Sequence, residues 1–317
     1  MSLTFDSARI PNPHLTEDHL AWRDALRRFV DKEIMPYAED WDEAGHIPNE
    51  LWLRAAEVGL LGAGYPEEYG GMPTDSWHSW IIQEELSRVG VGGIAASLFV
   101  HSIGLPPVIN WGSAEMKANI APAVLRGESW ISLGITEPGG GSDVANLATT
   151  AVRDGDHFIV NGSKTYITGG MRAKYVSTAV RTGGEGPTGV SMLLIPTDSE
   201  GFSRTRLDRK MGWWASDTAT LYFDNVRVPA DHIIGEENQG FKVIMTNFNN
   251  ERMGMAAAME AYGRVCLEEA VNWATERRTF GKRLADHQVI RHKIAMMKQK
   301  LNATQAYIRI CYEAIEA

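Results

Sequence analysis

Cysteine is nearly absent from the 317-residue chain: only Cys266 and Cys311 occur, both in segments with helical periodicity. Two isolated thiols exclude a disulfide framework and a Cys-x-x-Cys metal site, so no metal is expected and a reducing cytoplasm is the expected location. Long apolar runs are also missing. No stretch reaches the roughly 18 apolar residues that span a bilayer, and Met1 to Pro13 mixes charges with prolines where a signal peptide needs an apolar core. Neither membrane insertion nor secretion is expected. Basic charge is in deficit, with 31 Lys+Arg against 40 Asp+Glu and a net charge of −9. Nucleic-acid binding rests on clustered Lys and Arg, so nucleic acid is not an expected partner.

What is present is ordinary for a globular protein, 44% hydrophobic and 22% charged, in a length that suits two or three domains. Leu20, Leu26, Phe29, Val30 and Ile34 recur at three- and four-residue steps after Thr16, which predicts a capped amphipathic helix from Thr16 to about Asp42. Further helices are expected over Asn49–Val58, capped by Asn49 and stopped by Gly59, over Asp75–Val89 and over Ser113–Arg126. At Ser129 the texture changes to short β-rich runs: Trp130–Thr136, His157–Val160, Lys164–Thr168, Tyr175–Val180, Gly189–Ile195 and Ala219–Phe223. Asn161-Gly162 between two of them is a hairpin signal. Helical periodicity returns after Asn238, runs to roughly Trp273 and resumes from Asp286. The expected architecture is α+β and multidomain: an N-terminal α-helical domain over 1–128, a middle antiparallel β-domain over 129–237 and a C-terminal helical domain over 238–317. Because the last segment is still helical at Ala317, without a Gly or Pro stop, the natural protein is expected to continue.

Two glycine clusters compete for attention. Gly184, Gly186 and Gly189 match G-x-G-x-x-G, but a dinucleotide fingerprint opens a helix after a strand, whereas these glycines bridge two β-runs and read as a flexible loop. Thr136-Glu137-Pro138-Gly139-Gly140-Gly141-Ser142-Asp143 directly follows a strand. It is either an ordinary turn or a loop whose exposed N–H groups and hydroxyls meet a bulky ligand. On the helix after Gln239, about 100° per residue puts Ile244, Phe248, Glu251, Met255, Met259 and Tyr262 on one face, with Lys242, Asn249 and Glu260 near the other. Glu251 thus interrupts an apolar stripe. It is either one half of a structural ion pair with a cation such as Arg252, or a desolvated carboxylate suited to act as a base. By itself Arg277 reads as a solvated surface charge, and Trp213, Trp214, Phe248 and Met255 either narrow a substrate tunnel or pack in a core.

The segment Ile135-Thr136-Glu137-Pro138-Gly139-Gly140-Gly141-Ser142-Asp143 resembles the flavin-contacting stretch of the acyl-CoA dehydrogenase family. Four further stretches, in order along the chain, are similar to the same family. They are Pro66–Gly71; Asn161–Thr168, which matches its hairpin; Met211-Gly212 with Ser216-Asp217-Thr218 and Phe223–Pro229; and Arg277–Lys282 with His287-Gln288.

The resemblance covers essentially the whole chain and implies the family's fold, its third domain being a helical bundle. It also implies FAD as cofactor, contacted by Leu133, Ile135, Thr136, Gly141, Ser142, Tyr166, Ile167 and Thr168. Tyr166 stands where the family usually has Trp. Arg277, Thr279, Phe280 and Gln288 would reach the FAD of a neighbouring subunit in a homotetramer or homodimer, Arg277 suiting a pyrophosphate through its paired donors. Glu251-Arg252 matches the base position of the isovaleryl- and long-chain-type members, which implies Glu251 as catalytic base. Ser142, Asn249 and Arg252 would contact the acyl-CoA.

The implied activity is FAD-dependent α,β-dehydrogenation of an acyl-CoA to the trans-2-enoyl-CoA (EC 1.3), Glu251 removing the α-proton and flavin N5 accepting the β-hydride. An electron-transferring flavoprotein is the implied electron acceptor. The alternatives are an oxidase or monooxygenase of the same fold, or a non-catalytic flavin-binding relative. The chain stops before the family's Gln/Gly-rich C-terminal flavin contact and its late base position.

Overall fold

The computed structural model describes residues 3–317, the Asn250 side chain apart. Its helices begin with α1 (Glu17–Glu33), α2 (Ala38–Ala44), α3 (Glu50–Glu57), α4 (Ser76–Ser87), α5 (Gly92–Leu98), α6 (His101–Gly104), α7 (Pro106–Trp111) and α8 (Ala114–Leu125). Strands follow: β1 (Ile131–Gly134), β2 (Thr150–Asp154), β3 (His157–Thr168), β4 (Tyr175–Arg181), β5 (Val190–Pro196), β6 (Phe202–Arg206) and β7 (Thr218–Pro229). The long helix α9 (Gly240–Glu276), a short hairpin of β8 (Arg278–Thr279) and β9 (Lys282–Arg283), and α10 (Gln288–Glu316) complete the chain. The helical, β, helical order expected from periodicity is the order found, and no single helix among the described residues is long and apolar enough to cross a membrane.

The described residues form two compact units. The larger holds Tyr37–Pro73 and Val91–Glu251, and therefore all of β1 to β7. Its sheet runs β1-β4-β2-β3-β7-β6, with β5 also paired to β4. Most pairings are antiparallel, as expected, while β1 and β2 both run parallel to β4. One face of this sheet closes over Phe158, Val160, Ile167, Val176, Leu193 and Leu221, all at most 2% exposed. A second cluster, including Val108, Ile120 and Val124 from the helices, Leu105 between α6 and α7, and Ile131, Ala179 and Leu194 from the strands, fixes α7 and α8 against the sheet.

Several local expectations are corrected. The first helix does not reach Asp42: it ends at Glu33, with Ile34 as its cap just before Met35-Pro36, because Pro36 has no N–H to continue the ladder. Leu20 is 47% exposed, while Leu26, Phe29, Val30 and Ile34 are buried. Thr16 caps α1 as expected, through a reciprocal bond with His19. Asn49 does not cap α3; its Oδ1 accepts from Arg172 instead. Asn161-Gly162 is not a hairpin turn, since β3 runs through it unbroken and the register against β7 shifts there, as in a bulge. The reversal comes earlier, between β2 and β3 at Gly155, whose φ is +60°. Gly162 is needed for a different reason: a Cβ there would sit 2.7 Å from Thr149 Oγ1.

The smaller unit comprises the chain up to Pro36, Thr74–Gly90 and Arg252–Ala317. Its apolar centre is Trp77, Trp80, Ala257, Ile308 and Tyr312. Next to that lies a buried ionic group in which Glu84 Oε1 accepts from Arg264 (2.5 Å) and Oε2 from Arg23 (2.9 Å), and Arg264 Nε donates to Glu260 (3.1 Å). This overturns the expected face of α9. Glu260 is 3% exposed, whereas Met255 and Met259 are 59% and 50% exposed, because ion pairing lets Glu260 and Arg264 take the inward positions that periodicity assigns to methionine.

Burial raises the Glu260 carboxyl to about 6, against the opposing pull of Arg264. Between pH 4.5 and about 6 the folded state holds a proton that the unfolded chain has released. The group's contribution therefore falls as the pH rises through that window, and its penalty is complete at pH 7. The interval from 4.5 to about 6 corresponds to roughly 2 kcal/mol. Glu260→Gln is expected to be more stable than the parent at pH 7 by up to that amount, with the advantage vanishing near pH 4.5, as read from urea unfolding midpoints at several pH values.

Candidate active site

The larger unit gathers most of the predicted residues around the end of β1. Among the described residues this strand has a ladder partner on one side only, β4, and it leads through Ile135 and Thr136 into the glycine loop. The loop closes on itself through paired Glu137 and Gly140 backbone hydrogen bonds. It is tied to β3 by Thr165 N–H donating to Thr136 O (2.8 Å), and Ser132 Oγ donates to Thr168 O (2.8 Å). Leu133, Ile135, Thr136, Gly141 and Ser142 are thereby brought beside Tyr166, Ile167 and Thr168. Gly141 lies against Thr136, where a Cβ would come 3.2 Å from Cγ2. Pro138 to Asp143 are exposed, and the Thr136 and Thr168 side chains are half-buried.

A buried ion pair holds the loop from behind. Lys164 is fully buried, and its Nζ donates to Glu137 Oε1 (2.7 Å) and to Ile135 O (3.2 Å). The Glu137 carboxylate also accepts from Ala148 N–H (2.6 Å) and Thr149 N–H (2.9 Å). Burial pushes the Lys164 ammonium down to about 8 against the pull of Glu137. Burial would raise the Glu137 carboxyl, but Lys164 and the backbone donors outweigh it and hold the group below its usual value. Both of these charges thus face inward, and the exposed stretch from Pro138 to Ser142 offers an uncharged hydroxyl and backbone N–H groups, with the Asp143 carboxylate at its end. Tyr166 projects beside it, 70% exposed and with φ at +59°, at a second register shift of β3. An L-residue in the left-handed region costs about 1–2 kcal/mol, and such strain is concentrated at ligand sites.

Glu251 lies in the same unit, half-buried on α9. Asn247, one turn earlier and 7% exposed, donates from Nδ2 both to Glu251 Oε1 (2.8 Å) and to Ile103 O on α6 (3.1 Å). Asn249 and Arg252 are exposed, Phe248 packs on the adjoining apolar cluster, and Met255 does not. Trp213 and Trp214 are each about half exposed rather than core residues, and Trp213 rests on Gly92 and Gly93, where any Cβ would collide with it.

Arg277, Thr279, Phe280 and Gln288 belong to the smaller unit, on and beside the β8–β9 hairpin between α9 and α10. Arg277 and Gln288 are exposed, and Phe280 is 95% exposed with φ at +51°. His19, Asp75 and His78 also cluster there, in the manner of a metal site. Their hydrogen bonding is that of a cap: Thr16 N–H donates to His19 Nδ1, so Nε2 carries the proton, donates it to Asp75 and has no lone pair for a cation.

Family models decide the kinship. Those described as the N-terminal, middle and C-terminal domains of acyl-CoA dehydrogenase match residues 16–128, 132–226 and 238–317. The chain belongs to the acyl-CoA dehydrogenase family. Acyl-CoA dehydrogenase AFT10-1 of Alternaria alternata is 38% identical over 95% of this chain and 73% of its own length. The crystal structure of a probable acyl-CoA dehydrogenase from Mycobacterium abscessus superposes with a TM-score of 0.92 at 47% identity, covering 94% of this chain and 80% of that one. A glutaryl-CoA dehydrogenase from Mycobacterium smegmatis, solved in complex with FADH2, gives 0.89 at 29% identity, over 96% and 77% of the two chains. Acyl-CoA dehydrogenases are FAD-dependent oxidoreductases acting on CH–CH groups. The donor set around β1 fits such a cofactor: a strand edge without a ladder partner, neutral hydroxyls and an exposed aromatic ring suit an uncharged planar ring system.

Asn247, Glu137 and Lys164 escape a reading of the sequence. For Lys164 the available signal is its place on the inward-facing side of β3, where a lysine requires a buried partner.

Proposed function

We propose that this enzyme removes hydrogens from Cα and Cβ of an acyl-CoA thioester to give the trans-2-enoyl-CoA, with Glu251 as the base that takes the α-proton. The observation that carries this reading is a half-buried carboxylate on α9, held at one oxygen by a buried amide that is itself fastened to Ile103. A base so placed is partly desolvated and already oriented, which is what proton abstraction from a weakly acidic carbon requires. When bound, FAD supplies the hydride acceptor at its N5.

The backbone of Leu133, Ile135, Gly141 and Ile167 and the hydroxyls of Thr136, Ser142 and Thr168 are proposed to hold the flavin, with the Tyr166 ring as its aromatic wall. Exposed Arg277, Thr279, Phe280 and Gln288 are available to the FAD of a neighbouring subunit in a homotetramer or homodimer. Ser142, Asn249 and Arg252 are proposed to contact acyl-CoA. We assign the electrons to an electron-transferring flavoprotein and the enzyme to the cytoplasm. The activity is tested by anaerobic bleaching of the flavin with straight and branched acyl-CoAs.

The Tyr166 assignment makes a separate prediction. Tyr166→Gly removes the penalty of the left-handed conformation and loses little burial, so the flavin-free protein is expected to be no less stable. Its affinity for FAD should nevertheless fall about tenfold through loss of the stacking surface. Tyr166→Trp should bind FAD as the parent does. Fluorescence titration with FAD and thermal unfolding separate the two effects.

A further inference from the structure

Asn247 stands one turn before the Glu251-Arg252 pair and is not among the residues that the resemblance marks, yet its side chain makes two specific hydrogen bonds. One amide nitrogen donates both of its protons, to Ile103 O at 3.1 Å and to Glu251 Oε1 at 2.8 Å, in a setting only 7% exposed. A residue needed only for packing at a buried helix position would be apolar, and one needed only to fasten α9 to α6 would need one donor. The second donor is spent on a carboxylate one helical turn away, the spacing at which side chains on one face meet.

The fastening point is itself rigid. Ile103 lies on α6, whose next residue, Gly104, is pressed against β1 so closely that a Cβ would come 2.7 Å from Ile131 O. Ser177 Oγ on β4 donates to the carbonyl of that same Gly104 (2.8 Å). A line of direct contacts therefore runs from the Glu251 carboxylate through Asn247 and α6 to the strand that feeds the Ile135–Ser142 loop, all within one compact unit.

We infer that Asn247 is the positioning residue of this enzyme's base: it fixes the Glu251 carboxylate relative to β1 by spending one amide proton on Ile103 O and the other on Glu251 Oε1. This inference rests on Glu251 being the base. An amide suits the role because it donates without adding charge. A lysine would neutralise the carboxylate and an aspartate would repel it, whereas asparagine orients Oε1 and leaves the group free to accept a proton. Displacing a reacting group by about 1 Å costs on the order of 10²-fold in rate.

The test compares the FAD-loaded parent with Asn247→Leu, close in volume but without donors, and with Asn247→Asp, which has the same shape but presents an acceptor. In both variants the rate of flavin bleaching at saturating acyl-CoA is expected to fall about 10–100-fold, with KM within about twofold of the parent. The carboxylate stretching band of Glu251, isolated in substrate-free protein as the infrared difference against Glu251→Gln on the same background, should shift when Asn247 is replaced. Asn247→Asp keeps the packing, so it reads the loss of the donor, together with the like-charge repulsion that replaces it, even if the leucine variant folds poorly. Parent-like bleaching and an unmoved band in both variants, with Glu251→Gln inert, overturn the role of Asn247 and leave the base assignment standing. Unimpaired bleaching by Glu251→Gln overturns both.

Discussion

Glu251→Gln should retain the yellow cofactor and bind acyl-CoA, yet bleach about 10²–10⁴-fold more slowly under anaerobic conditions, the range that a positioned base contributes. Glutamine keeps the length and shape of glutamate, and its amide oxygen can still accept from Asn247 Nδ2, which lies 2.8 Å from Glu251 Oε1. Packing along this part of α9 is therefore preserved while the capacity to take a proton is lost. Glu251 lies on a helix and not on the loop at β1, so flavin affinity should be unchanged. Stopped-flow absorbance of the flavin, with a parallel FAD titration, separates loss of chemistry from loss of cofactor. Undiminished bleaching would remove Glu251 from the mechanism.

The second large effect is expected behind the glycine loop. Lys164→Met leaves the Glu137 carboxylate buried with its two backbone donors but without its cation, and leaves Ile135 O without its Nζ donor. Removing one partner of a buried pair typically costs about 3–5 kcal/mol. Because Glu137 closes the turn with Gly140, part of that cost should appear as a loop that no longer keeps its shape. FAD affinity is expected to fall by about tenfold or more, each factor of ten being about 1.4 kcal/mol. The double variant Lys164→Met with Glu137→Gln buries no unpaired charge and should recover part of the stability lost by the single one. Urea unfolding and FAD fluorescence titration give both quantities. A Lys164→Met protein as stable and as avid for FAD as the parent would show that the pair does not shape the loop.

These two effects differ in how far they can be read from the chain. The glycine loop and the half-buried place of Glu251 are marked by local features, a strand followed by Gly139-Gly140-Gly141 and a carboxylate following Ile244 and Phe248 at helical spacing, although neither feature by itself chooses between a structural role and a functional one. The helix starts at Thr16, Asp75 and Ser113 are legible for the same reason, each side chain accepting the backbone N–H three residues on. What escapes depends on partners distant in sequence. Asn161-Gly162 carries the chemistry of a turn, but pairing with β7 keeps β3 straight and turns the dipeptide into a bulge. Once that site is taken for a hairpin, the inward direction of Lys164 cannot be followed along the strand, and its pairing with Glu137, 27 residues away, stays hidden. Glu260 misleads in a similar way. Periodicity assigns charge to solvent, whereas Arg264 on the same helix pairs with it and makes its burial possible, Arg264 being itself held by Glu84, distant in sequence. β2 and β6 go unrecognised because their residues are mostly exposed and polar, so neither shows the alternation of a half-buried strand.

The most direct test of the whole account is anaerobic titration of the purified flavoprotein with straight and branched acyl-CoAs, following the flavin absorbance and identifying the product by mass. The account predicts stoichiometric bleaching by at least one acyl-CoA and a product two mass units lighter, the 2-enoyl thioester, as two hydrogens are removed. A flavin that stays oxidised in the presence of every acyl-CoA, in protein that carries its full complement of FAD, would contradict it.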